Sequence, residues 1–419
     1  MTADLIISNI GSLISLVGSN KPRSGKEMES LGMVTDAAIA IKDGLILALG
    51  NSADINLRFQ SSVVIDAKDK VVLPGFVDCH THPIFVHTRE DEFAMRIAGK
   101  SYVEIARAGG GIRSTIASTR DASEELLFEL AARRIQKMIS QGTTTIEAKS
   151  GYGLDTKSEL KQLRVIKRLI NELPIDIIPT FMGAHEYPAE YKNDHEAYLK
   201  ILCEEMIPAV AEQGIAEFCD IFTEEHVFSI DESRRVLQCA RDHGLKLKMH
   251  ADEIEPIGGA ELAAELGCVS ADHLGATSNA GIIALHKAGV IPVLLPATLF
   301  SLRSKTYARA LDMISQGLPV AIATDYNPGS CNCDSMPFTM TLACLQMGMN
   351  PAQALIASTI NAAHAVNRGG KLGSLEAGKQ ADLCIWDIPS LNFLPYHFGS
   401  SNLSKVYKMG KCIYSADEA

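Results

Sequence analysis

Two histidines one residue apart, His80 and His82, close the stretch 71–83, which reads VVLPGFVDCHTHP. A run of β-formers breaks at Pro74-Gly75 and restarts as a short apolar strand ending on this pair. Side chains at i and i+2 of a strand share a face, so the two imidazoles project together while Cys79 and Thr81 face the other way. Neutral imidazoles side by side suit a divalent ion that prefers nitrogen ligands. The pair equally suits an ordinary polar strand end, so a metal reading needs more ligands. Candidates follow downstream: His185, His250, Asp272-His273 and Asp325 each come at or just after the end of a β-rich run.

Something must bring these residues to one place. From Phe76 onward, short β-rich runs alternate with helical ones, at 76–82, 143–148, 175–182, 217–222, 245–250, 269–273, 290–295 and 320–324. Eight such units over roughly 290 residues predict an α/β fold, a (β/α)8 TIM barrel. Chemistry in that fold sits at the C-terminal ends of the strands, where all of the residues above would lie. The intervening helices carry local signals. Residues 122–141 have Glu124 and Glu125 in the first turn and Gly142 after the end. Thr156-Lys157-Ser158-Glu159 has capping-box spacing. A helix from Pro351, at the first helical position, is expected to run to about Val366. The insert of about residues 84–121 is longer than a simple βα connection and contains Gly109-Gly110-Gly111, which reads as a mobile loop beside the site.

The two ends of the chain have a different texture. Ala37 to Ile41, Lys42-Asp43-Gly44 and Leu45 to Leu49 read as strand, Asp-Gly turn, strand, with a further short strand at 63–65. Residues 381–387 and 405–414 read as strands again. Residues 1–70 and 368–419 are therefore expected to pair as one small β-rich domain flanking a barrel of residues 71–367.

Composition narrows the partners. A net charge of −11 with no basic tract argues against nucleic acid. The apolar stretch 5–17 has no preceding Lys or Arg and is interrupted by Ser8, Asn9, Ser12 and Ser15, so it reads as strand rather than leader. No run reaches the ~18 apolar residues of a membrane span. Ten scattered cysteines, with only Cys331-Asn332-Cys333 close together, read as reduced thiols in a cytoplasm. A small-molecule substrate is expected, with no nucleic acid and no membrane, in a single chain or a homodimer.

The order H-x-H on strand one, His on strand five, His on strand six and Asp on strand eight resembles the amidohydrolase superfamily. So do LPGFVDCHTH at 73–82 and GSLEAGKQADL at 373–383, where Gly373, Gly378, Ala381 and Asp382 follow the family habit. Two-metal members carry a lysine at the end of strand four. Here residues 217–222 hold none. The resemblance therefore implies one divalent or trivalent metal per chain, Zn2+ or Fe3+, held by His80, His82, His250 and Asp325. Within the superfamily, His87-Thr88-Arg89, Lys149 to Leu154, Gly183-Ala184-His185-Glu186, His250-Ala251-Asp252-Glu253, Asp272-His273-Leu274 and Thr324 to Ser330 resemble members that open a ring amide in histidine degradation.

The residues fit that chemistry. A metal ion lowers the pKa of its water to about 7 and readies it for attack on an amide-like carbonyl. Glu253, three residues past His250, could take the water proton and deliver it to the departing ring nitrogen. His273 could orient the attacking group or stabilise an oxyanion, and Asp325 could be both ligand and second proton acceptor. Arg89 offers a planar fork for a substrate carboxylate; taken alone it reads better as a surface ion pair with Glu90 or Asp91, and its place beside the metal strand tips it toward the substrate. Tyr152, His185, Asn327, Gly329 and Ser330 would contact the rest of the substrate. His87, His195, His226, His243, His286, His364 and His397 are read as structural or surface residues. One rival reading, a deaminase of a nucleobase-like heterocycle, uses the same residues; another, an inactive binding protein on the same barrel, should have lost metal ligands, and all four candidates are present here.

Overall fold

The computed structural model describes residues 1–100, 104 and 110–417. Five strands come first: β1 (Leu5–Ile14), β2 (Met33–Lys42), β3 (Leu45–Asn51), β4 (Val64–Asp66) and β5 (Val71–Pro74). The β2–β3 turn is built as its Asp-Gly pair demands, with Asp43 and Gly44 both at positive φ (52° and 78°). Eight strands follow: β6 (Phe76–Asp78), β7 (Thr143–Lys149), β8 (Asp176–Ala184), β9 (Phe218–Thr223), β10 (Lys246–Ala251), β11 (Ser270–His273), β12 (Ile291–Leu294) and β13 (Ala321–Ile322). The chain ends with β14 (Leu383–Trp386), β15 (Leu403–Lys408) and β16 (Lys411–Ser415).

β6 to β13 pair in sequence order, each parallel to the next. The ring closes between its first and last strands. His82 N donates to Tyr326 O at 2.8 Å and Asp325 N to His80 O at 3.1 Å. Beneath that seam the buried Asp78 carboxylate accepts from Thr324 N (3.0 Å) and Thr324 Oγ1 (2.6 Å). Helices wrap the outside, so the architecture is the TIM barrel that the βα alternation implies. Strands with both faces covered carry near-continuous apolar runs, which is why β12 and β13 read as little else. The second sheet runs β16-β15-β14-β5-β1-β2-β3, with β4 beside β1, and so joins the two chain ends. Val71–Pro74 lies in this sheet, pairing with β14, and the chain enters the barrel only after Gly75.

Two local expectations fail for physical reasons. Thr156 does not cap its helix. Asp155 does, its side chain accepting from Ser158 N at 2.7 Å, and Glu159 turns away to other donors. The helix from Pro351 ends at Ala357 and a new one spans Ile360–Ala365. In between, the Ser358 carbonyl accepts from Val77 N of β6 (2.9 Å), a bond an unbroken helix would preclude. Of the expected mobile loop, Gly109 lies outside the described residues. Gly111 caps a helix over Ile112–Asp121.

Candidate metal centre and active site

The strand ends converge as the spacing implies. His80 Nε2 and His82 Nε2 lie 3.3 Å apart, and each is 3.6 Å from Asp325 Oδ1. Single ligand atoms of His80, His82 and Asp325 fit within 4.8 Å of one another, and so do those of His80, His250 and His273. All five side chains are buried. Imidazole nitrogens gathered beside a carboxylate oxygen form a donor set suited to a metal cation. Burial, then the neighbouring charges and imidazoles, holds His80 and His82 well below the usual histidine range, in the neutral form a metal needs.

The backbone is strained at this rim. Asp252, His273, Leu274 and Asp325 all have positive φ (49°, 75°, 57° and 52°). Non-glycine residues hold that conformation only when their surroundings over-determine it, and such outliers cluster at functional sites.

A cavity of about 400 Å³ opens over the cluster. Its wall includes His82, His250, His273 and Asp325, together with Arg89, Tyr152, His185, Glu253, Asn327 and Ser330. Glu253 Oε2 lies 3.5 Å from His273 Nδ1. Burial, then Asp325 and Glu224, pushes the Glu253 carboxyl up to about 8. Burial also raises Asp325 to about 6, against the hydrogen bond from Thr298 Oγ1 (2.6 Å). His185 is pushed down to about 3 by burial and by His250, and its Nδ1 lies 2.9 Å from Gly151 O. Tyr152 stands 5.2 Å from the His185 ring, centroid to centroid.

The remaining site residues are placed less directly. Asn327 spends its amide inside its own loop. Its Oδ1 accepts from Gly329 N and Ser330 N (both 2.8 Å), and its Nδ2 donates to Asp325 O (2.7 Å). Gly329 underlies Arg89, and its carbonyl accepts from Arg96 Nη2 at 3.2 Å. The Arg89 side chain does not pair with Glu90 or Asp91. Its nearest carboxylate is Glu92, 3.5 Å away.

Several residues here were not legible as functional. Arg96, Lys100 and Glu92 line the cavity. Glu159 is fully buried and accepts from Gly151 N (3.0 Å), Gly153 N (2.7 Å) and Leu154 N (2.9 Å), which fixes the loop carrying Tyr152. Behind the histidines lie Glu147, Lys149, Asp220, Lys248 and Asp272, all fully buried. Ionisable residues at i and i+2 within barrel strands, Glu147 with Lys149 and Lys248 beside His250, are the signal that could have found them.

Comparison with known proteins places the chain in a family. The pattern of the amidohydrolase family matches residues 71–413. The imidazolonepropionase of Alkaliphilus metalliredigens is 49% identical over 99% of this chain and 98% of its own length. That of Alkaliphilus oremlandii is 46% identical over 99% and 98%. Among solved structures, an adenosine deaminase from Xanthomonas campestris with bound zinc superposes with a TM-score of 0.70 at 20% identity, covering 98% of this chain and 93% of that one. At that identity the likeness concerns the fold alone.

Proposed function

The chain belongs to the amidohydrolase family and, within it, to the imidazolonepropionases, and from that premise we propose how its residues divide the work. It is a hydrolase of histidine degradation that opens the ring amide C–N bond of 4-imidazolone-5-propanoate, giving N-formimidoyl-L-glutamate. The observation that carries the assignment of roles is that one cavity holds both the His/Asp cluster and the Arg89 guanidinium. A ring amide bearing a carboxylate arm needs both, and a nucleobase needs only the first.

One metal ion, Zn2+ or Fe3+, would be held by His80, His82, His250 and Asp325. When bound it supplies Lewis acidity and lowers the pKa of water toward 7. Glu253 takes a proton from the attacking water and delivers it to the leaving ring nitrogen. Its raised pKa suits the second task, because a carboxyl that titrates near neutrality can exist in both forms. His273, beside Glu253, donates to the oxygen on which charge develops. Arg89 grips the propanoate carboxylate, while Tyr152 and His185 form the wall at the ends of β7 and β8. Asn327 acts through the loop it folds, presenting Ser330 to the substrate and bringing Gly329 beneath Arg89. Among the described residues no helix is long and apolar enough to cross a membrane. All ten cysteines are free, which supports a reducing, cytoplasmic setting.

The test is to supply 4-imidazolone-5-propanoate to the metal-loaded protein while following N-formimidoyl-L-glutamate and ammonia separately. Formimidoylglutamate without ammonia is the expected result. Ammonia released from guanine or cytosine would make the deaminase reading the better one.

A further inference from the structure

Seven buried residues form a continuous chain behind the metal centre, five of alternating charge between two histidines. His80 Nδ1 lies 2.6 Å from Asp272 Oδ2. Asp272 lies 3.6 Å from Lys248 Nζ, which is 2.6 Å from Glu147 Oε2. The same Glu147 oxygen is 2.9 Å from Lys149 Nζ. Lys149 is 2.6 Å from Asp220 Oδ2, and that oxygen is 3.1 Å from His250 Nδ1. The chain thus starts on one candidate ligand histidine and ends on another, in each case at Nδ1. Glu147 is its middle member. It is fixed in turn by Thr180 Oγ1, which donates to its other oxygen at 2.6 Å.

Burying five charged side chains is costly, and apolar residues of similar size commonly fill such a space as well or better. Stability alone therefore does not account for the arrangement. Strand geometry explains how it forms. Glu147 and Lys149 are i and i+2 on β7, and Lys248 and His250 are i and i+2 on β10, so each pair shares a face. A carboxylate at the far nitrogen of a metal-binding imidazole fixes its tautomer and ring orientation. Asp272 and Asp220 are placed to do this, and each is steered by a lysine. Both lysines meet on one carboxylate, with Lys248 also donating to Cys79 O at 2.9 Å.

We propose that Glu147 is a positioning residue for the metal centre. Through Lys248 and Lys149 it sets the two carboxylates that orient His80 and His250, and so governs how tightly the chain holds its metal ion. The proposal rests on the ligand set of the proposed function. Cavity residues such as Arg89 play no part in it.

The experiment is a Zn2+ titration against a competing chelator, with circular dichroism and thermal unfolding run on each variant. Glu147→Gln keeps the shape and removes the charge. It is expected to weaken Zn2+ binding about tenfold, the low end of what a partner in direct contact with a ligand histidine is worth, while leaving the fold intact. Thr180→Val, which loosens Glu147 without removing its charge, should weaken binding in the same direction by less, and decides the matter where Glu147→Gln does not fold. A folded variant that binds Zn2+ within twofold of wild type overturns the proposal, even where its Tm has fallen. His80→Ala is the control. Unchanged Zn2+ affinity there means the ligand set is wrong; loss there with none in the folded test variants means that only the role of Glu147 fails.

Discussion

The Arg89 guanidinium lies directly over Gly329, so closely that a Cβ at position 329 would overlap it. The glycine is required by this contact rather than by its backbone. Gly329→Ala should therefore displace Arg89 and mimic its removal. A charge-assisted contact is worth about 1.5–3 kcal/mol. Both Gly329→Ala and Arg89→Met should raise KM for 4-imidazolone-5-propanoate on the order of ten- to a hundredfold, with metal content unchanged. Steady-state kinetics beside elemental analysis checks this. An unaltered KM in both variants would remove Arg89 from the substrate site.

Glu253→Gln retains size and loses the proton carrier. We expect kcat to fall on the order of 10²–10⁴-fold, the worth of a general acid–base group, with full metal content and an unchanged Tm. If kcat holds, the proton travels by another group, and Asp325, raised to about 6, is the nearest candidate.

His80→Ala and Asp325→Ala should each abolish tight metal binding, leaving the wild type alone with one equivalent per chain. Elemental analysis after dialysis against a chelator reads this. Two equivalents in the wild type, both lost on one substitution, would replace the single-metal reading with a two-metal one.

Acid should destabilise the fold through His364. Burial, then Lys379 and Arg23, lowers this imidazole from 6.5 to about 4, and its buried Nε2 has no hydrogen-bond partner among the described residues. The folded chain thus favours the neutral form. Above pH 6.5 neither state is protonated and the stabilisation is complete. Between 6.5 and 4 the unfolded chain binds the proton and the folded one does not, so stability falls as pH falls. Tm measured across that range should drop less steeply in His364→Gln than in wild type. Parallel curves would show that other groups carry the acid sensitivity.

The clustered histidines were legible because one rule reaches them: period two places His80 and His82 on one face, and barrel strands end on the same rim. The eight strands were legible because β-rich runs alternate with helical ones. What stayed hidden depends on partners distant in sequence. Glu147 meets Lys248 across about a hundred residues (|i−j| = 101), and although the charges on each strand mark both as unusual, nothing local names the partner. Glu159 had a plausible local role as a capping residue, and the buried amides of the preceding loop outbid it. The break at Ser358-Thr359 has its cause in β6, nearly three hundred residues earlier.

That buried Glu159 carboxylate leads to the last prediction. It accepts from three backbone N–H groups of the loop 151–154, and Gln162 Nε2 donates to it at 3.1 Å. Burial pushes its pKa up even though these donors favour the charged form. Gly151 can take its place in the loop only as glycine: φ is +105°, and a Cβ would meet Met182 O at 2.9 Å. Loop and carboxylate are therefore fitted to each other. In Glu159→Gln one acceptor oxygen becomes a donor facing donors, so at least one buried amide loses its partner. Such a loss costs about 1–3 kcal/mol, which urea unfolding should register. Because the loop carries Tyr152, KM should rise as well while metal content stays whole. A stability loss with unchanged KM would show that Tyr152 holds its place without this support.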